Sequence, residues 1–157
     1  MPSFVSYGAL RVVASARHDF EDAVAYLSRD PAERALFARL ERGPHRVTVT
    51  TNARDADSYD PDTRTIHWDP HSALRTTQGG RQSPALGLGH EVDHAAHDGP
   101  RAWRRENTPD PRYDTAEERR VITGSERHAA RTLGEATRTN HTGTCYLVAT
   151  PTSMHIA

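Results

Sequence analysis

The chain contains no lysine: all 20 of its basic residues are arginine. Two explanations are open: GC-rich bacterial codon usage, which favours arginine, or a domain that works inside a eukaryotic cell and offers no lysine acceptor for ubiquitin. Cysteine is almost as scarce, and Cys145 alone excludes an intramolecular disulfide while saying little about compartment. A formal net charge of -1 removes the case for non-specific attraction to nucleic acid or to an anionic membrane surface. No apolar run approaches the roughly 20 residues that span a bilayer. The opening Met-Pro-Ser-Phe-Val carries no signal-peptide pattern, and it suits a domain that belongs to a longer protein. Aromatic residues are only 6% of the chain and the mean hydropathy is -0.78. That is polar for a globular domain, yet apolar periodicities persist, so a folded chain is expected rather than a disordered one. The 157 residues suffice for one domain with one core.

Residues 17–42 read as helical, with Phe20, Val24, Leu27, Leu36, Phe37 and Leu40 at helical spacing and Asp30-Pro31 as a cap and first-turn proline. Gly43-Pro44 ends that stretch. Residues 45–50 alternate with period two and are rich in β-branched side chains, which predicts a strand. A turn over 59–63 precedes a second strand over 65–68. Residues 69–82 are polar and end on Gly79-Gly80, predicting a mobile loop. Residues 101–113 predict a polar loop with Trp103 as its one large anchor. Further helices are expected from Asp114-Thr115 and from about Ser125 to Leu133-Gly134, then a short strand over 144–148. The sum is an α+β fold.

The chemistry concentrates between Ser83 and Pro100. Ser83 suits an N-cap, Pro84 the first helical position, and Asp98-Gly99-Pro100 a stop. Gly87 and Gly89 inside that helix each cost roughly 1 kcal/mol against alanine, which predicts close approach by a neighbouring backbone. On the same helix stands His90-Glu91-Val92-Asp93-His94. Residues four apart share one helix face, so two imidazoles can converge on one ion while Glu91, offset from them, reaches a water as general base. Zinc takes such nitrogens and in catalytic sites retains a position for water. The competing explanation is a pair of surface histidines on an amphipathic helix. Asp93 is expected to face solvent, the alternative being a contact with a ligand histidine from behind.

A third protein ligand is required. His97 lies about 10 Å along the axis from His90 at 1.5 Å rise per residue, too far to share one small ion, and is expected to cap the helix end. Glu117-Glu118 is the better source. Asp114-x-x-Glu117 and Thr115-x-x-Glu118 both match a capping box, so either glutamate could be structural. His18, His45, His67, His71, His128 and His155 are scattered and read as surface residues.

From Ser83 through Ala95 the sequence resembles the NleD-type effector metallopeptidases of type III secretion, with related domains at the ends of type VI spike and Rhs proteins. Residues 117–122, Glu117-Glu118-Arg119-Arg120-Val121-Ile122, resemble the third-ligand segment of clostridial neurotoxin light chains. The resemblance implies a zincin-like fold, a small sheet packed on the His-Glu helix, and a Zn2+ ion held by His90, His94 and Glu118, with Glu117 behind them. Over 133–141 the relatives carry Arg-x-x-Tyr, which stabilises the tetrahedral intermediate; here Arg138 matches and His141 stands at the tyrosine position. The resemblance further implies a secreted effector or toxin domain, delivered by a specialised secretion system and cutting proteins of a target cell. Secretion machinery and an immunity protein are the further partners it brings into view.

The expected reaction is peptide-bond hydrolysis, with Glu91 moving the water's proton to the leaving amine, Arg138 and His141 neutralising the oxyanion, and a substrate strand pairing with an edge near 65–68. Two other readings stay open: a zinc amidase of cell-wall peptides, and a metal-stabilised binding module without catalysis.

Overall fold

A computed structural model describes residues 1–52 and 56–157 and shows a mixed α+β fold. Its centre is a five-stranded sheet built from β1 (Phe4–Tyr7), β2 (Leu10–Val13), β3 (Val47–Thr51), β4 (Ser58–Asp60) and β5 (Thr65–Trp68), in the order β1-β2-β3-β5-β4. The inner pairs β2–β3 and β3–β5 are parallel, and each outer strand runs antiparallel to its neighbour. Burial alternates along the inner strands, so that Leu10, Val12, Val47, Val49, Ile66 and Trp68 all lie on one covered face. Because β5 is paired on both sides, the expected substrate edge near 65–68 is not an edge; β4 covers it.

Three helices cover that face. The stretch expected as helical over 17–42 is two helices, α1 (Arg17–Leu27) and α2 (Pro31–Arg42), divided where Asp30 caps α2 by accepting from Glu33 N at 3.3 Å ahead of Pro31. The third, α3 (Pro84–Ala96), starts as its sequence predicts: the Ser83 hydroxyl accepts from Leu86 N at 3.3 Å. Glu135 then locks the cap, accepting from Ser83 N at 2.6 Å and Ser83 Oγ at 2.7 Å. All residues of α3 except Gly87 are buried, and Trp68, itself fully buried, donates from its indole to Pro84 O at 2.9 Å. A helix buried on all sides has no solvent face, which is why Asp93, expected outside, is only 2% exposed.

The remaining elements differ most from expectation. The predicted mobile loop over 69–82 contains β6 (Ser72–Thr76) and β7 (Arg81–Gln82), which pair with each other and, through β6, with β10 (Gly143–Leu147). The predicted loop over 101–113 contains α4 (Pro100–Glu106) and β8 (Pro109–Asp110), which pairs with β9 (Asp114–Thr115). Trp103 anchors nothing there, being 68% exposed. Next come α5 (Ala116–Val121), a wide π-type segment over Ile122–Glu126 broken at Gly124, and α6 (Arg127–Leu133), closed by Gly134 in the left-handed region. No helix among the described residues is long and apolar enough to cross a membrane.

The two glycines of α3 are approached by carboxylates rather than by backbone. A Cβ at Gly89 would stand 2.7 Å from Glu33 Oε2, and one at Gly87 would stand 2.9 Å from Asp57 Oδ2. Glu33 is fully buried and has nowhere to move, whereas Asp57 is only partly buried. Gly89→Ala should therefore lose about 1–3 kcal/mol to overpacking. Gly87→Ala should be neutral or gain up to about 1 kcal/mol of helix propensity. Urea unfolding of the two variants checks this, and equal losses would contradict it.

Candidate metal centre

His90 and His94 leave the same face of α3, one turn apart, and both are buried, at 3% and 8% exposure. They are not the surface pair that the competing explanation requires. Their Nε2 atoms lie 3.1 Å from each other. α5 adds Glu118 to this pair: its Oε2 is 2.7 Å from His90 Nε2 and its Oε1 is 3.1 Å from His94 Nε2. The cap of α5 is Thr115, not Asp114: it accepts from Glu118 N at 3.2 Å, while its own N–H bonds Tyr113 O at 2.7 Å, so the Glu118 side chain is not drawn back into a capping box. That fixes the start of α5 and leaves the Glu118 carboxylate to the imidazoles.

The opposite ring nitrogens are fixed as well. His94 Nδ1 is 2.8 Å from Glu117 Oε2, and His90 Nδ1 is 2.8 Å from Glu126 Oε1. Carboxylates in those places would hold a proton on each Nδ1 and free Nε2 for a metal ion, although Nε2 of both rings also faces the Glu118 carboxylate. Two lone pairs and a carboxylate then face one another across about 3 Å. Such an arrangement is repulsive unless positive charge lies among them, which a metal ion or protons on the rings would supply. Ligand atoms around a tetrahedral ion with bonds of about 2.0–2.1 Å lie roughly 3.3 Å apart, close to what is found.

The titration of these groups expresses the same demand for positive charge. Burial disfavours a charged His94, but hydrogen bonds to Glu117 and Glu118 outweigh it and push the imidazole up to about 9. His90 goes the same way: burial opposes its charge, and Glu118 and Glu126 raise it well above the ordinary value. Burial would raise Glu118, but His90 and His94 hold it far below the carboxylate range.

Glu91 lies beside this cluster, its Oε1 3.9 Å from His90 Nε2, and burial raises its pKa. It borders a cavity of about 140 Å³ that is also lined by Asp57, Leu74, Gln82, His90 and His141.

Arg138 also lines this cavity and is held on the Nδ1 side of His90. Its Nη2 and Nε bind Glu126 at 2.6 Å and 2.9 Å, and Nη2 is 3.4 Å from His90 Nδ1. His141 stands at the mouth, with Nε2 3.3 Å from Glu118 Oε2. His97 caps α3, its Nδ1 2.7 Å from Asp93 Oδ1. Asp93 also binds Arg120 at 2.8 Å and Ser125, so it ties α3 to α5 and the turn that follows. Burial opposes its charge, and His97, Ser125 and Arg120 prevail, keeping it ionised.

Sequence reasoning missed Glu126. The one signal for it was a further acid eight residues beyond Glu118, and helical periodicity does not carry through the wide turn between them. The scattered histidines also have structural ties: His71 meets Asp19 at 3.1 Å and Val148 O at 3.2 Å, and His128 meets the buried Asp30 at 2.7 Å. The arrangement as a whole can hold a metal ion and can move a proton beside it. Comparisons with protein-family models, with curated proteins and with solved structures found no match.

Proposed function

We propose that the protein is a zinc-dependent endopeptidase. One observation carries the reading: two carboxylate-oriented imidazoles and Glu118 converge within 2.7–3.1 Å, with the buried acid Glu91 beside them on a cavity. Imidazole nitrogen donors together with a carboxylate favour zinc over the harder cations that prefer all-oxygen shells. The order of the parts, a His-Glu helix followed by a glutamate from a later helix, supports a zincin-like fold.

A zinc ion held there would polarise the scissile carbonyl and lower the pKa of a coordinated water towards about 7. Glu91, whose pKa burial has raised, takes the water's proton and passes it to the leaving amine. Glu117 and Glu126 keep both imidazoles in the tautomer that offers Nε2. Arg138 neutralises Glu126 and so acts through His90, while His141, at the mouth, donates to the developing oxyanion. The cavity is smaller than the roughly 300–1,000 Å³ usual for small-molecule sites, and suits a peptide group with one side chain. The resemblance to secreted effectors adds the setting: a toxin domain delivered into a target cell, with that cell's proteins as substrates.

The test pairs Glu91→Ala with His90→Ala, reading zinc content and cleavage of a peptide library that includes cell-wall peptides. Glu91→Ala should keep zinc and lose about 10²–10⁴-fold in kcat. His90→Ala should lose both zinc and activity. Full activity in Glu91→Ala rejects the mechanism, and turnover confined to cell-wall peptides makes the protein an amidase instead.

A further inference from the structure

His90 and His94 share a pattern: a carboxylate on Nδ1, and Nε2 turned towards Glu118. His141 repeats it from a different part of the chain. Its Nδ1 is 2.6 Å from Asp114 Oδ2 and its Nε2 is 3.3 Å from Glu118 Oε2. Its ring lies parallel to that of His90, 6° apart with centroids separated by 6.1 Å. Ligand atoms of His90, Glu118 and His141 all fall within 4.8 Å of one another.

This placement is built by the fold. His141 N donates to Arg112 O at 3.1 Å, and the neighbouring Asn140 side chain donates to Thr77 Oγ1 at 2.8 Å, so the segment is fixed on two sides. Asp114 holds a left-handed backbone conformation (φ 66°), which few non-glycine residues adopt, immediately before the Thr115 cap of α5. The five residues 114–118 thus carry both the carboxylate that orients His141 and the carboxylate that His141 faces. An exposed His–Asp pair alone is worth little and gives no reason for the other nitrogen to point into the buried cluster.

We infer that in the substrate-free protein His141 Nε2 is a fourth protein ligand of the metal held by His90, His94 and Glu118. The inference rests on the zinc-centre reading above. Its consequence is a shell closed by an exchangeable arm: His141 is 30% exposed on a segment between elements, whereas His90 and His94 are buried on a helix. Substrate entry would displace it and open that position to the water that Glu91 deprotonates, and the released imidazole would stay beside the site as a hydrogen-bond donor.

The test uses His141→Phe, which retains a ring to stack on His90 and removes the nitrogen, together with Asp114→Ala and His90→Ala. Zinc affinity is read by chelator competition and the ligand set by the visible spectrum of the Co2+-loaded protein, with circular dichroism of each variant to verify folding. His141→Phe should weaken zinc by about 100-fold and change the Co2+ bands, and Asp114→Ala should cost about 10-fold, as loss of a ligand's orienting partner does. If His141→Phe leaves affinity and spectrum unchanged while His90→Ala loses the metal, His141 is no ligand and the zinc centre stands. If His90→Ala also binds as the parent does, the centre itself is refuted and this inference with it.

Discussion

Glu126→Ala should destabilise the protein by about 3–5 kcal/mol, the cost typical of removing one partner from a buried ion pair. Arg138 is 9% exposed and Glu126 is 2% exposed. Without the carboxylate, the guanidinium is left in a low-dielectric interior facing His90. The pair's electrostatics show how much is at stake: burial would raise the Glu126 carboxyl, and Arg138 with His90 instead holds it at about 2. The second loss is at the metal, because His90 Nδ1 no longer has an acceptor to fix its tautomer, and zinc affinity should drop about 10–100-fold. The two losses separate in the double variant Glu126→Leu/Arg138→Leu. Apolar replacement of a whole buried pair is often neutral for stability, so that variant should regain stability in urea unfolding without regaining zinc affinity. Wild-type affinity in the double variant would show that Glu126 does not orient His90.

How much of this could be read from sequence depends on how local each cause is. The start of α3 is written in Ser83-Pro84, that of α2 in Asp30-Pro31, and the end of α6 in Gly134, because caps act over three or four residues. The His90/His94 pair is legible for the same reason, one turn being a local distance. β6 was illegible because its partner β10 lies some 70 residues away and its burial does not alternate cleanly. Glu126 was illegible because the wide turn over Ile122–Glu126, with Gly124 outside helical angles, shifts the helical phase between Glu118 and Glu126. Counting at 3.6 residues per turn cannot find a side chain beyond such a slip. Asp93 was misjudged from an assumption of amphipathicity that a helix buried on all sides does not meet. The cap alone did not decide between Glu117 and Glu118. Thr115 rather than Asp114 caps α5, which by the capping-box pattern would engage Glu118. Thr115 N bonds Tyr113 O instead, and the Glu118 carboxylate faces the imidazoles. Asp114, not being the cap, meets His141.

A large pH effect should come from outside the metal centre. Glu33 sits fully buried under Gly89, and neither of its carboxylate oxygens has a hydrogen-bond partner. Burial, aided by the charges of Asp30 and Asp93, pushes its pKa from an ordinary 4.5 up to about 8. Below about pH 4.5 folded and unfolded chains both carry the proton, and Glu33 adds no slope. Between about 4.5 and 8 the unfolded chain has released it and the folded chain has not, so stability falls as pH rises, by up to about 1.4 kcal/mol per pH unit. Above about 8 both forms are ionised and the slope ends, leaving an unpaired buried carboxylate. Glu33→Gln retains the shape and cannot ionise. Its buried amide lacks partners as the acid does, so at pH 5 it should be no more stable than the parent. By pH 9 it should be more stable by a few kcal/mol, the parent having lost what the variant keeps. Urea unfolding of both proteins at pH 5, 7 and 9, at one fixed zinc concentration, gives the difference directly and cancels the titration of the metal-site groups common to both. Parallel stability curves would mean that Glu33 is not the protonated acid its surroundings require.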